Sequence, residues 1–202
     1  MVCKIRVNRI IKKTKTEGFG KRYCIWVQGC SIRCSGCKNQ HMWSFKGGEE
    51  LEIDRVIRDI ELQEDIEGIT FLGGEPLDQK EAVTEILKAA KKQRLSTIVF
   101  TGYLYEELLC GSKTRKLLKY TDLLIDGEFR QEEMDFSRPW IGSKNQRYLF
   151  LSDRYEKGDL LSRQYKNKYE LRIYPEGTVM VNGIGNLEIL EQILEFNAKE
   201  GI

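Results

Sequence analysis

Apolar residues along the chain form short runs that alternate with longer segments of helical periodicity. Four runs of four or five residues, at 23–27, 69–72, 97–101 and 123–126, are typical of buried strands, and a glycine follows each of them closely. Segment 51–62 has apolar residues at positions 53, 56, 57 and 60, and the segment after Asp78 has them at 82, 83, 86, 87 and 90. Both spacings predict amphipathic helices, and we expect Asp78 to cap the second one.

Short strands that alternate with helices predict an α/β architecture with parallel pairing. In such folds, ligands bind beyond the carboxyl ends of the strands. The chemically notable residues fall at those ends, at 30–37, 73–76, 101–103 and 126–127. The tail differs, because segments 169–174 and 178–181 flank a Pro-Glu-Gly turn and predict a β-hairpin, before a final helix at about 186–199. We therefore expect a core domain over 1–150 and a C-terminal extension over 151–202 that packs on it as one structural unit.

Composition narrows the possible functions. The 202 residues include 33 Lys+Arg and 31 Asp+Glu, for a net charge of +2. A charge this small gives no reason to expect binding to nucleic acid or to an anionic membrane. The longest uncharged stretches, such as 95–105, fall short of the roughly 20 apolar residues that cross a bilayer. Lysine and arginine interrupt residues 1–15, which excludes a signal peptide there. We expect a soluble cytoplasmic protein.

The cysteines carry the strongest chemical signal. Three of the six cysteines form the pattern C-x3-C-x2-C at Cys30, Cys34 and Cys37, and His41 is the only histidine. Thiolates gathered on one short loop favour zinc or an iron–sulfur cluster. With His41 the pattern fits a Cys3His zinc site, whereas three cysteines alone fit a four-iron cluster that keeps one iron open.

A second motif favours the cluster. C-x3-C-x2-C after a first strand, followed by Gly73-Gly74-Glu75-Pro76 at the end of the next strand, resembles the paired motifs of the radical S-adenosylmethionine (SAM) superfamily. The resemblance implies that Cys30, Cys34 and Cys37 ligate a [4Fe-4S] cluster. It also implies that Gly73, Gly74, Glu75 and Pro76 bind SAM, and that the fold is a partial (β/α) barrel of parallel strands.

Further motifs resemble one group within that superfamily, the activating enzymes of anaerobic (class III) ribonucleotide reductase. A small residue, Gly36, precedes the third cysteine, T-G-Y-x-Y-E-E-L begins at Thr101, and W-x-G-S-x-N-Q-R ends at Arg147. Residues 17–22 are similar to the group's (D/N)GPG-x-R motif, with Phe19 in place of the usual proline. The resemblance covers about residues 15–150, whereas compact members of the group end near the last motif.

This resemblance implies a function. The protein would cleave SAM reductively to a 5′-deoxyadenosyl radical and install a glycyl radical on a large partner, anaerobic ribonucleotide reductase. Thr101, Asn145 and Arg147 would contact SAM or substrate, and a flavodoxin or ferredoxin would supply the electron. One alternative keeps the radical chemistry but applies it to a peptide or small molecule. The other is a zinc-binding or electron-transfer module without SAM chemistry.

Overall fold

The computed structural model describes residues 3–161, 165 and 168–185. Its strands are β1 (Lys4–Thr14), β2 (Arg22–Val27), β3 (Glu49–Glu52), β4 (Gly68–Gly73), β5 (Ser96–Phe100), β6 (Leu123–Asp126), β7 (Arg147–Phe150), β8 (Lys168–Ile173) and β9 (Val179–Ile184). Its helices are α1 (Ile53–Glu61), α2 (Lys80–Lys92), α3 (Tyr105–Cys110) and α4 (Ser112–Leu118). No helix in these ranges is long and apolar enough to span a membrane.

The first seven strands form one sheet in the order β3-β1-β2-β4-β5-β6-β7. The four central strands, β2, β4, β5 and β6, run parallel to one another. Antiparallel strands flank them, β1 and β3 on one side and β7 on the other. The predicted α/β fold is therefore confirmed as a mixed fold with a parallel-rich sheet, in which every predicted parallel strand lies at the centre.

Alternation along the strands gives the sheet two different faces. Tyr23, Ile25 and Val27 point into a large apolar core that also contains Val56 of α1 and Ile86 of α2. The opposite face carries two smaller apolar clusters, one around Trp26 and the other around Phe19 and Trp140. Because the strands are buried on both faces, their sequences read as continuous apolar runs rather than alternating ones.

Two local expectations need correction. The sequence analysis assigned Asp78 as the cap of the second helix, but α2 begins at Lys80 after Gln79, and Asp78 lies in a 3₁₀ turn over Pro76–Gln79. The three antiparallel strands β1, β3 and β7 were not predicted. Charged residues interrupt the apolar positions of β1 and β3, whereas the short apolar run of β7 was not assigned to a strand. β1 also contains irregularities in its register with β2, which disturb the alternation expected of a strand.

The predicted hairpin is present as β8 and β9, which pair antiparallel from Lys168 opposite Ile184 to Ile173 opposite Val179. It contacts the end of β1, where the Asn182 side-chain amide donates a hydrogen bond to Thr16 Oγ1. Thr14 pairs with Arg22, the first residue of β2, so this contact lies at the amino-terminal ends of the parallel strands. The helix predicted over 186–199 falls outside the described residues.

Candidate iron–sulfur and SAM site

The cysteine loop follows the carboxyl end of β2, and backbone N–H groups face all three of its sulfurs. The backbone N–H groups of Ile32 and Arg33 act on the Cys30 sulfur, and that of Phe129, from the loop after β6, acts on the Cys34 sulfur; each of them favours the thiolate and so lowers the pKa of its thiol. The N–H of Asn39 lies 3.4 Å from Cys37 Sγ. Burial raises the pKa of both the Cys30 and the Cys34 thiols.

This arrangement fits an iron–sulfur cluster. Thiolates are the ligands such clusters take, and hydrogen bonds to sulfur stabilise their charge. Cys30 is buried, whereas Cys34 and Cys37 are partly exposed, so the loop presents its sulfurs at the edge of the protein interior. Bending of the loop is supported by Arg33 and Gly36, which both adopt positive φ, at 55° and 74°.

The zinc alternative needs four ligands around one ion. Within the described residues, no three His, Cys, Asp or Glu side chains are grouped so that they could hold a single metal ion. The His41 residue is exposed in a 3₁₀ turn over Gln40–Met42, and its carbonyl accepts a hydrogen bond from Gln28. A four-iron cluster does not require three thiolates to converge on one ion, because each thiolate binds a different iron.

The Gly-Gly-Glu-Pro segment lies directly against the cysteine loop. The N–H of Gly74 donates to the Val27 carbonyl at 2.8 Å, and the N–H of Glu75 donates to the Gly29 carbonyl at 2.8 Å. A Cβ on Gly74 would stand 2.2 Å from Gly29 O, and one on Gly73 would stand 2.8 Å from the Trp26 Cα. Both glycines therefore permit close backbone approach between the ends of β4 and β2.

The Glu75 side chain is a buried anchor between two strand ends. Its carboxylate accepts hydrogen bonds from the Leu77 N–H at 2.8 Å, from Thr101 Oγ1 at 2.9 Å and from the Gly102 N–H at 2.8 Å. Burial raises the pKa of this carboxyl to about 7, although these three donors oppose the shift. The Thr101 hydroxyl thus already donates to Glu75, which joins the end of β4 to the end of β5.

Asn145 and Arg147 also hold parts of the protein together. Asn145 Nδ2 donates to the Glu128 carbonyl at 2.8 Å, while its Oδ1 accepts from the Ser143 hydroxyl at 2.7 Å. The Arg147 guanidinium binds the buried carboxylate of Asp126 and, at 2.8 Å, that of Glu106 in α3. These two carboxylates raise the pKa of Arg147 further, so it stays charged.

Two residues beside the loop were missed by the sequence analysis. Gln28 lies just before the loop, and its Nε2 donates to the Ser44 carbonyl at 2.7 Å, which holds the segment after the third cysteine. Asp78 accepts hydrogen bonds from both the N–H and the hydroxyl of Ser31, each at 2.7 Å. The position of Gln28 immediately before Gly29-Cys30 was a signal for such a role.

Comparison with known proteins agrees with these features. Residues 16–149 match the model of the family described as "4Fe-4S single cluster domain". A Haemophilus influenzae protein named anaerobic ribonucleoside-triphosphate reductase-activating protein is 36% identical over 138 residues, which are 64% of this chain and 88% of the relative. A pyruvate formate-lyase-activating enzyme from Clostridium pasteurianum is 33% identical over 126 residues, which are 59% of this chain and 50% of that enzyme. The crystal structure of QueE from Escherichia coli gives a TM-score of 0.42 at 16% identity, over 49% of this chain and 53% of that chain.

The cysteine loop and the relatives define an iron–sulfur enzyme of the radical SAM activating type, whose cofactors are a [4Fe-4S] cluster and SAM. The chain belongs to the 4Fe-4S single cluster domain family. The resemblance to the activating enzymes of anaerobic ribonucleotide reductase, which rested on motifs alone, is thereby confirmed.

Proposed function

We propose that this protein activates a large glycyl radical enzyme, an anaerobic ribonucleotide reductase. The observation that carries the proposal is the contact between the cysteine loop and the turn at Gly73–Pro76, at the carboxyl ends of two adjacent parallel strands. The relative from Haemophilus influenzae, which this chain covers over most of its length, bears the name of such an activating protein.

In this proposal Cys30, Cys34 and Cys37 would hold the cluster, and residues 73–76 would bind SAM beside it. When bound, the two cofactors together supply reductive cleavage of SAM and a carbon-centred radical that abstracts hydrogen. The chain itself positions them: the backbone N–H groups at the sulfurs stabilise the cluster's negative charge, and the two glycines bring the turn close to the loop. Contacts of Thr101, Asn145 and Arg147 with SAM or substrate stay predictions, and their present hydrogen bonds support a role in shaping the site.

Three finer features belong to the same proposal. The four parallel strands support a partial barrel whose carboxyl ends form the mouth of the site. Residues 151–202 would form an extension of the core over 1–150. The protein would act in the cytoplasm, where thiols stay reduced.

The electron donor would dock on the cysteine loop. Residues 29–48 contain no aspartate or glutamate, and within them Arg33, Lys38 and Lys46 are exposed. A low-potential donor of acidic surface, such as a flavodoxin or ferredoxin, complements this charge.

The proposal is tested with protein reconstituted anaerobically with iron and sulfide. We expect close to four irons per chain, SAM cleavage under reducing conditions, and a glycyl radical on the partner reductase by electron paramagnetic resonance. Cys34→Ala should abolish all three, and Cys110→Ala, which changes an exposed cysteine outside the loop, should preserve them. SAM cleavage with no glycyl radical on the reductase, but with turnover of a peptide or small molecule, would overturn the assignment of the partner.

A further inference from the structure

The turn after β4 makes hydrogen bonds to the backbone on both sides of Cys30. Before the cysteine, the Gln79 side-chain amide donates to the Gln28 carbonyl at 3.1 Å. The N–H of Glu75 donates to the Gly29 carbonyl at 2.8 Å. After it, Asp78 accepts the N–H of Ser31 at 2.7 Å. The peptides around the first cysteine are thus fixed from one short segment that contains no cysteine.

Asp78 uses both of its carboxylate oxygens to bind Ser31, the residue after the cysteine. Oδ2 accepts the Ser31 N–H, and Oδ1 accepts the Ser31 hydroxyl at 2.7 Å. The Tyr103 hydroxyl, which follows β5, lies 3.0 Å from Ser31 Oγ and 3.5 Å from Asp78 Oδ1. Two strand ends therefore converge on the residue that follows Cys30.

The charge of Asp78 matters as well as its geometry. Its hydrogen-bond partners, Ser31 and Tyr103, are neutral, so they leave a negative charge beside the cysteine loop. A nearby negative charge disfavours the addition of an electron to an iron–sulfur cluster, since net charge is one of the factors that set its reduction potential.

We propose that Asp78 is a positioning residue that fixes the peptide after Cys30 and lowers the reduction potential of the cluster held there. This inference rests on the proposed cluster site. It extends the motif at Gly73–Pro76 by two residues, and it gives that segment a role in holding the cluster as well as in binding SAM.

The test compares Asp78→Asn with Asp78→Ala in the full chain. Asparagine keeps the shape and an oxygen acceptor but removes the charge, so we expect near-normal iron content and a midpoint potential shifted to a more positive value. Alanine removes the anchor, so we expect faster loss of iron on dilution. Glu81→Gln is the matched control, because Glu81 is an exposed carboxylate three residues further on that pairs with Lys113, and its potential should equal that of the wild type.

A midpoint potential of Asp78→Asn equal to that of the wild type, read by electron paramagnetic resonance during a redox titration, would overturn the inference. If Asp78→Asn loses its iron, the iron content of Asp78→Glu tests whether a carboxylate is needed at this position. Iron binding recovered in Asp78→Glu would support the proposed role of the carboxylate, and a failure to recover it would contradict that role. Failure of the wild type to bind a cluster is a different result, which contradicts the proposed function itself.

Discussion

At the scale of single residues, Gly74 has room for a hydrogen atom and for nothing larger. A Cβ would stand 2.2 Å from the carbonyl oxygen of Gly29 and 3.0 Å from that of Val27. Both oxygens belong to the backbone and accept hydrogen bonds from the turn, so neither can move aside as a flexible side chain would. Any side chain at Gly74 therefore pushes the cysteine loop itself.

We expect Gly74→Ala to displace Cys30 and to lower iron content severalfold after reconstitution, measured by iron analysis and visible absorbance. Gly158→Ala is the matched control, because a Cβ there meets no atom within 4 Å. If Gly74→Ala bound iron like the wild type but failed to cleave SAM, the glycine would serve only the approach to SAM.

The sequence predicts Cys30, Cys34 and Cys37 as the cluster ligands, because their spacing is itself the chemical requirement. The long-range hydrogen bonds of Glu75, Thr101 and Arg147 could not be predicted. Glu75 and Thr101 are 26 residues apart, and Arg147 binds Asp126 and Glu106, which are 21 and 41 residues away. Polar residues at strand ends look alike in sequence whether they face a ligand or tie the strands together. Only the fold shows which of their atoms are already engaged.

At the scale of elements, the central strands were predictable and the outer ones were not. β6 was placed correctly over Leu123–Asp126, because it is buried on both faces and its run of apolar residues is unbroken. β1 has one face against the core and carries six charged or amide side chains among its eleven residues, so its apolar positions are hidden. It is held in the sheet by pairing with β2, the next strand, and with β3, which lies much further along the chain.

The hairpin of β8 and β9 covers a buried acid at the end of β1. Glu17 is 3% exposed and lies 3.5 Å from the Asn182 side-chain amide. Arg9 and the Asn182 amide favour its ionised form, while Glu170 and above all burial oppose it, and the pKa of Glu17 rises from 4.5 to about 7. The folded protein therefore keeps a proton on this carboxyl at pH values where the unfolded chain has lost it.

The sign of the resulting pH dependence follows from proton linkage. The stability contributed by protonated Glu17 is complete below about pH 4.5 and is lost as the pH rises through 7. Between pH 5 and pH 8 we expect the wild type to lose roughly 2–3 kcal/mol of unfolding free energy relative to Glu17→Gln. Urea unfolding at both pH values measures the difference. Glu75 contributes the same trend to both proteins, so equal slopes would contradict the prediction for Glu17.

At the scale of the whole molecule, Phe19, the unusual residue of the motif at residues 17–22, packs against residues that follow position 150. Phe19 stands where the motif that residues 17–22 resemble has proline, and its ring lies 4.4 Å from that of Tyr155 and 5.1 Å from that of Tyr165. The Tyr155 hydroxyl also accepts a hydrogen bond from the buried guanidinium of Arg22 at 3.1 Å. Residues after position 150 thus complete a core that begins at residue 19.

This packing predicts different results for two shortened chains. A chain that ends at residue 150 loses Tyr155 and the buried Leu160, so it exposes Phe19 and leaves Arg22 with one acceptor fewer. A chain that ends at residue 161 keeps both, but it loses Tyr165, which also packs on Phe19, and the hairpin. The hydrogen bonds of the hairpin to Thr14 and Thr16 lie at the opposite end of the parallel strands from the cysteine loop.

We therefore expect the chain that ends at 161 to bind close to four irons and to cleave SAM, with a lowered melting temperature. The chain that ends at 150 should unfold at a lower temperature still, because it also loses the buried Leu160 and the partly buried Tyr155. We expect this loss to cost about 3–6 kcal/mol of unfolding free energy. Calorimetry of the reconstituted proteins and iron analysis measure both effects. Loss of iron from the chain that ends at 161, while its fold by circular dichroism is kept, would show that the hairpin supports the cluster site and that the two ends of the sheet are coupled.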